Sequence, residues 1–366
     1  MMKKKNIAIV CITCTLVAAI TALCLFLPKA EYSHSERRLL AKFPELSVES
    51  ISSGRFMQAF EDYASDNFPL RDEFRSLKAF ISLKLLNQSD NNGVYEHQGQ
   101  LTEALYPLNV KSIERATGIF TKIYEKYLKP ANAKVYMCIV PDKGYYISDG
   151  AGVPSLDYSE LYSVLKSNTG FAQFIDISDT LNADSYYKTD THWRQEALLP
   201  AAKKIATAMG NSFNSEFTEN TLDIPFKGVY AGRYALPVKD ENIVYLTNSV
   251  TDSCKVFDFE NQKDIAVYDF EKAGGKDPYE LFLSGSISLL TVTNPNAKTD
   301  KKLVIFRDSF ASSIAPLLLE EYSQVTLADI RYAHYSTLCR MIELENSDVL
   351  FLYSTSVLNN SETLKQ

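Results

Sequence analysis

Two residues apart, Asp190 and His192 are a pair whose types can move a proton. An imidazole takes a proton from a hydroxyl only when its far nitrogen is held in the right tautomer, and a neighbouring carboxylate does this by accepting the Nδ1 proton. In YYKTDTHWRQEALLPAAKKI, residues 186–205, Asp190 reads as the orienting group and His192 as the base. The pair needs a hydroxyl to act on. Ser309 offers one, because residues 302–306 (KLVIF) read as a strand, Arg307-Asp308-Ser309 as a turn, and the chain from Phe310 as a helix. Such a turn lifts a hydroxyl to the carboxyl edge of a parallel sheet, and the N–H groups that follow it would stabilise an oxyanion. The chemistry would be acyl transfer through a covalent acyl-serine. Taken singly, a D-x-H is an ordinary loop and a Ser before a helix is an ordinary N-cap; the joint occurrence singles them out.

The same segments carry a resemblance. YYKTDTHW followed by an Ala-rich helix, then LVIFRDSFASSIAPLL and LADIRY, resembles the DHHW family, which is similar to the alginate O-acetyltransferases of the SGNH-hydrolase-like class. Phe60-Glu61-Asp62-Tyr63, Asp66-Asn67-Phe68-Pro69-Leu70-Arg71 and Val140-Pro141-Asp142-Lys143 belong to the same likeness, which spans most of the chain outside the N-terminus. It implies Asp190, His192 and Ser309 as a triad, a polysaccharide as acceptor, and a membrane-bound O-acyltransferase as the partner that relays the acyl group. Two positions depart from the pattern. Thr191 stands where the family name has His, a position that need not take part in catalysis, and Arg307 stands where many SGNH-type serine motifs have Gly, which bears on the oxyanion hole. Three functions fit: a transferase, an esterase in which water replaces the sugar hydroxyl, and a non-catalytic binding or scaffold protein that keeps the fold.

Elements that would position these residues alternate as β and α. Residues 135–140 form a near-continuous apolar run, expected as a strand buried on both faces, and it leads into Pro141-Asp142-Lys143 at the ligand edge of an open sheet. A helix stripe at Ile113, Ala116, Phe120, Ile123 and Tyr127 precedes it; a helix near 158–166 and a strand at 174–177 follow. Residues 303–306, 310–322, 325–330, 336–344 and 349–353 read as β-α-β-α-β. The fold class is therefore α/β, a doubly wound SGNH-hydrolase-like sheet split by an antiparallel β-rich insertion at about 213–300. Pro200, inside the helix after His192, should kink that helix or restart it. Three further residues are candidate substrate contacts. Trp193, the only tryptophan, either packs under the imidazole, stacks on a sugar or belongs to the core; Lys143 either meets an anionic substrate or is a solvated loop lysine; Arg331 follows Asp329, a rival acid, at the end of the next strand.

The N-terminus sets the compartment. Lys3-Lys4-Lys5 precede an uncharged apolar run, residues 7–27, which at about 1.5 Å per residue spans a hydrocarbon core of roughly 30 Å. The lysines keep its start in the cytoplasm and send the rest outside. No A-x-A site is evident, and Thr21-Ala22-Leu23 before Cys24 lacks the small residue a lipoprotein signal needs, so the run reads as an uncleaved single-pass anchor of the cell membrane rather than a secretion signal. Residues 1–29 are the anchor, 30–49 a polar stalk, and 50–366 the SGNH-hydrolase-like domain. Two helices open that domain, with Phe56, Phe60 and Tyr63 and then Phe74, Leu77, Ile81 and Leu85 at helical spacing, read as core. A hairpin follows Asn91-Asn92-Gly93.

Net charge is −7, and −10 without the three anchor lysines, which offers no basic face for nucleic acid. Cys138, Cys254 and Cys339 lie outside the anchor, an odd number that leaves at least one unpaired. With four His and no ligand spacing among them, no metal or other cofactor is expected.

Overall fold

Alternation along single strands explains the architecture. In Lys134–Val140 the side chains of Val135, Met137 and Ile139 enter one apolar core, and Tyr136, Cys138 and Val140 enter another. The same split recurs in Lys302–Arg307 and Asp348–Ser354. A strand that is apolar at every position therefore fills two cores, one on each face of its sheet. On one face lie the helices Val110–Ile123 and Tyr158–Asn168; on the other lie Leu199–Ala208 and the segment Ala311–Leu318.

The computed structural model describes residues 2–33 and 35–365. It is a mixed α/β protein around an eight-stranded sheet. Its strands are β1 (Lys134–Val140), β2 (Gln173–Ile175), β3 (Lys255–Asp258), β4 (Lys263–Ile265), β5 (Leu289–Thr293), β6 (Lys302–Arg307), β7 (Gln324–Ala328) and β8 (Asp348–Ser354). Their spatial order is β4-β3-β5-β7-β6-β8-β1-β2. The run β7-β6-β8-β1-β2 is parallel throughout, while β5, β3 and β4 extend it antiparallel beyond β7. The insertion thus interrupts the chain but not the parallel strands. It lengthens the sheet instead of building a separate body, apart from a small ribbon of Thr218–Thr221 with Val244–Thr247.

From β6 the chain crosses to β7 on one side and then to β8 on the other. In open α/β sheets such a reversal marks the carboxyl edge at which ligands bind. Ser309 follows β6 directly. Pro200 resolves as a restart: a short 3₁₀ turn at Gln195–Ala197 ends, and Leu199–Ala208 begins with the proline in its first turn, where the missing N–H costs nothing. Pro316 likewise divides the expected long helix after Ser309 into Ala311–Ile314 and a 3₁₀ stretch Ala315–Leu318.

Contacts divide the chain into two units, residues up to 91 with 232–237, and the remainder, which contains the sheet. In the first unit a helix of 25 residues, Met2–Phe26, leads to a ribbon of Tyr32–Ser33 with Arg38–Leu39 and then to the helices Val48–Ser52, Arg55–Asp66 and Arg71–Phe80, the last prolonged by a π-helical turn, Ile81–Leu85. The expected stalk is tied down at Arg38, whose guanidinium donates to both Asp66 carboxylate oxygens at 2.7 and 2.5 Å, and at Phe43, whose ring meets Phe56, Phe60 and Tyr63. The expectation that the aromatics of these helices form core is corrected here. No residue of Arg55–Asp66 is buried, and Phe74, Leu77, Ile81 and Leu85 stand exposed.

Candidate active site

The D-x-H sits at the tip of a small turn built by residues 186–193. Tyr187 N–H donates to the His192 carbonyl at 3.1 Å, Arg194 N–H donates to that of Ser185 at 2.8 Å, and Tyr186 bridges Trp193. At the tip, Asp190 Oδ1 accepts from the His192 backbone N–H at 3.0 Å and faces His192 Nδ1 at 2.6 Å. On the far side of the ring, His192 Nε2 lies 2.8 Å from Ser309 Oγ. A residue pair and a serine separated by more than a hundred positions are thereby joined in one hydrogen-bonded chain. Burial falls along it: the Asp190 side chain is 1% exposed and that of His192 12%, and Ser309 is half-buried. A sequestered carboxylate leading to an accessible hydroxyl is the gradient that proton transfer at a surface site requires.

The loop reaches this place by crossing the carboxyl edge of the sheet from β2. Tyr186 Oη donates to the Pro141 carbonyl at the exit of β1 at 2.6 Å, and Trp193 Nε1 donates to the Phe310 carbonyl at 3.1 Å and Ser313 Oγ at 2.8 Å, beside the serine turn. Tyr279 supports the imidazole from one face, its ring stacked 4.0 Å from that of His192 and its hydroxyl donating to Ser313 Oγ at 2.8 Å. The serine turn is held by Asp308, whose carboxylate accepts from Ser354 N–H at 2.7 Å, at the end of the neighbouring β8, and from Phe310 N–H at 3.1 Å.

Residues that the sequence did not single out hold the D-x-H from the other side. The Glu241 carboxylate accepts from Lys188 N–H at 2.6 Å, Thr189 N–H at 2.8 Å and Thr189 Oγ1 at 2.6 Å. Val229 N–H donates to Asp190 Oδ2 at 2.8 Å, and Gly228 N–H donates to Thr189 Oγ1 at 2.9 Å. A Cβ at Gly228 would run into Asp190 and the Thr189 carbonyl, so only glycine allows this approach. Glu241 lies far along the chain in an irregular stretch, where no local pattern marks it. Gly228 carried the one available signal, a glycine outside any regular turn dipeptide.

The proposed substrate contacts need correction. Trp193 is fully buried and edge-on to Phe310 at 5.4 Å, which leaves no face for a sugar. Lys143 is neither solvated nor turned to a ligand. It is 1% exposed, and its ammonium donates to the carbonyls of Leu101 at 2.5 Å and Tyr187 at 2.6 Å, with that of Lys188 at 3.4 Å. The hairpin of Val94–His97 with Gln100–Glu103 and the D-x-H loop close over it. Burial pulls its pKa down to about 7, against the opposing charges of Asp190 and Glu241. Arg331 is bound to Asp329, with Nε at 2.9 Å from Oδ1 and Nη2 at 2.7 Å from Oδ2, so the rival acid has its partner already. The N–H groups after Ser309, expected to face an oxyanion, are engaged: Phe310 with Asp308 Oδ1, Ala311 with the Asp308 carbonyl, and Ser312 with the Ser309 carbonyl. Arg307, at the position of the usual glycine, is buried and donates to Ser312 Oγ and the Gly285 and Ile287 carbonyls.

Among the described residues no group of three or more His, Cys, Asp or Glu side chains is arranged to hold a metal.

No family profile and no curated protein sequence matches the chain. Solved structures do. The fold is shared with a DHHW family protein from Eubacterium siraeum, at a TM-score of 0.61 and 19% identity over 76% of this chain and 97% of that one. It is shared also with PatB1 of Bacillus cereus, at a TM-score of 0.56 and 18% identity over 72% of this chain and 96% of PatB1. The O-acetyltransferase domain of Pseudomonas putida AlgJ superposes more loosely, with a TM-score of 0.46 and 12% identity.

Proposed function

We propose that this protein is a membrane-tethered, extracytoplasmic O-acetyltransferase of the SGNH-hydrolase-like class that acts on a polysaccharide, with Ser309 as nucleophile, His192 as general acid and base, and Asp190 orienting the imidazole. The observation that carries the reading is the unbroken hydrogen-bond path from a buried carboxylate through both ring nitrogens to an accessible hydroxyl. Its place supports the reading too, since Ser309 leaves the carboxyl end of β6, the strand from which the chain crosses first to one side and then to the other.

In this mechanism Ser309 Oγ attacks the acyl carbonyl while His192 Nε2 takes the hydroxyl proton, and the Asp190 carboxylate stabilises the imidazolium through Nδ1. Collapse of the tetrahedral adduct breaks the bond to the leaving group, which receives the proton from Nε2 and leaves an ester on Ser309. A sugar hydroxyl then gives its proton to Nε2 as its oxygen attacks that ester, and collapse returns the proton to Ser309 Oγ. Water in the second step would make the same triad an esterase.

The tether rests on the helix within Lys4–Phe26, long and apolar enough to cross a bilayer and exposed along its length. A domain outside the membrane has no diffusive access to cytoplasmic acyl donors, so the reading includes a membrane-bound O-acyltransferase as relay, the partner the family resemblance implies. The test is an assay of the purified full chain with p-nitrophenyl acetate and an oligosaccharide panel. The account expects an acetyl-serine intermediate whose turnover rises with an accepting oligosaccharide, which then carries the acetyl group by mass spectrometry. Hydrolysis indifferent to every oligosaccharide would favour the esterase, and no acetyl-enzyme would contradict the triad.

A further inference from the structure

The helix Arg71–Phe80, with its π-helical continuation Ile81–Leu85, is built inside out. Along Arg71–Phe80 and its continuation, Arg71, Arg75, Ala79 and Ser82 form the inward stripe: Arg71 and Arg75 reach Glu36 at 2.6 and 3.0 Å, Arg75 donates to the Gly232 carbonyl at 2.6 Å, and Ala79 and Ser82 are buried. A second stripe at helical spacing, Leu70, Phe74, Leu77, Ile81 and Leu85, is 39–64% exposed. A soluble amphipathic helix does the reverse. The pattern extends beyond one helix. Of the 20 large hydrophobic side chains exposed after Pro28 among the described residues, 15 lie between Leu39 and Leu86. An apolar surface so concentrated marks a site of contact.

What covers it follows from how the span ends. Lys29 Nζ donates to the Cys24 carbonyl, in the last turn of the span, at 2.6 Å and to the Asn67 carbonyl at 3.2 Å. The turn Asn67-Phe68-Pro69-Leu70, which starts the exposed stripe, is therefore tied to the point where the span ends. A cleft of about 420 Å³ there is lined by Leu27, Pro28, Tyr32, Phe68 and Leu70 among others. Residues 28–91 carry nine Lys and Arg against ten Asp and Glu, so the surface has no charge bias toward an acidic or basic partner.

We propose that the exposed stripe of residues 70–85, with Phe68 and the apolar residues before it, lies in the outer-leaflet interface of the bilayer beside the anchor, as a second, in-plane membrane contact. The inference rests on the anchor reading above. Aromatic and aliphatic side chains at headgroup depth suit that environment. Near-neutral charge makes the contact indifferent to anionic lipid and to salt. Its consequence is a first unit, residues up to 91 with 232–237, held against the bilayer surface rather than swinging from a single tether.

The test uses the full chain in phosphatidylcholine vesicles containing a phosphatidylcholine with a diazirine near the glycerol end of its acyl chain. After irradiation, adducts are expected in peptides covering 68–86 as well as in 2–26, unchanged by added phosphatidylglycerol or by salt at roughly 0.5 M, about three times physiological ionic strength. The double variant Leu77→Glu, Leu85→Glu should lower adducts on 68–86 at least about fivefold and leave those on 2–26 unchanged, an estimate that follows from the cost of placing charge in apolar surroundings. Adducts confined to 2–26 overturn the inference while sparing the anchor, and assign the stripe to a protein partner or a second copy of the chain. Adducts on neither segment overturn the anchor reading and this inference with it.

Discussion

Asp190 uses its two oxygens differently, and that division predicts how its loss would behave. Oδ1 serves the imidazole and Oδ2 is held by Val229 N–H, so the carboxylate is fixed before it orients anything. Asp190→Asn keeps the shape and should keep the fold, yet it should lower turnover by about 10⁴, because the amide holds His192 in the wrong tautomer. Turnover and thermal unfolding of the variant check both halves; an unchanged rate would remove Asp190 from the mechanism. Trp193 makes the opposite prediction. Its indole N–H serves the buried Phe310 carbonyl and Ser313 hydroxyl, so Trp193→Phe should destabilise by about 2–4 kcal/mol in urea unfolding through lost packing and unpaired acceptors. A stable variant with weakened acceptor binding would restore the sugar-stacking role. Asp190, His192 and Ser309 could be singled out because their residue types and flanks are local, and the structure brings the three side chains within hydrogen-bonding distance. The environments of Trp193, Lys143 and Arg331 were not legible, because each is set by segments remote in sequence.

At the scale of elements, the turn of residues 186–193 is clamped between opposite charges, Glu241 on its N–H groups and Lys143 on its carbonyls. Gly228→Ala should displace Asp190 and lower turnover by at least about 10², since misplacement by about an ångström costs that much. Retained turnover would mean that the neighbouring loop yields. Lys143 adds a pH signature. Its folded pKa is depressed to about 7 from an ordinary 10.5, so between those values the unfolded chain holds a proton that the folded chain lacks. Stability from this group is therefore flat below about pH 7 and rises above it, by at most about 1.4 kcal/mol per pH unit. Urea unfolding of wild type and Lys143→Met from pH 6 to 9 should show the wild type gaining on the variant above pH 7; parallel curves would contradict the depressed value. From sequence, a lysine after Pro-Asp at a strand end looks solvated. The hairpin after Gly93 and the loop after β2 bury it, and no single segment records their meeting.

For the whole molecule, the parallel strands were legible because burial on both faces demands uninterrupted apolar runs, and 135–140, 303–306 and 349–353 have them. In the 213–300 region the β-rich, antiparallel character was legible, but the strand Thr218–Thr221 and the joining to β7 were not: β5 pairs with β7 through main-chain bonds that leave no mark in either sequence. The aromatic helices that follow the N-terminal apolar helix misled in the other direction, because helical spacing shows that a face is apolar without showing what covers it. The account as a whole stands on Ser309. The most direct measurement is reaction of the full chain with a fluorophosphonate or a sulfonyl fluoride, which phosphonylate or sulfonylate an activated serine hydroxyl, followed by peptide mapping. The account predicts one adduct on Ser309, no labelling of Ser309→Ala, and strongly slowed labelling of His192→Ala. Labelling of Ser309→Ala at the wild-type rate, or an adduct on another residue alone, would contradict it.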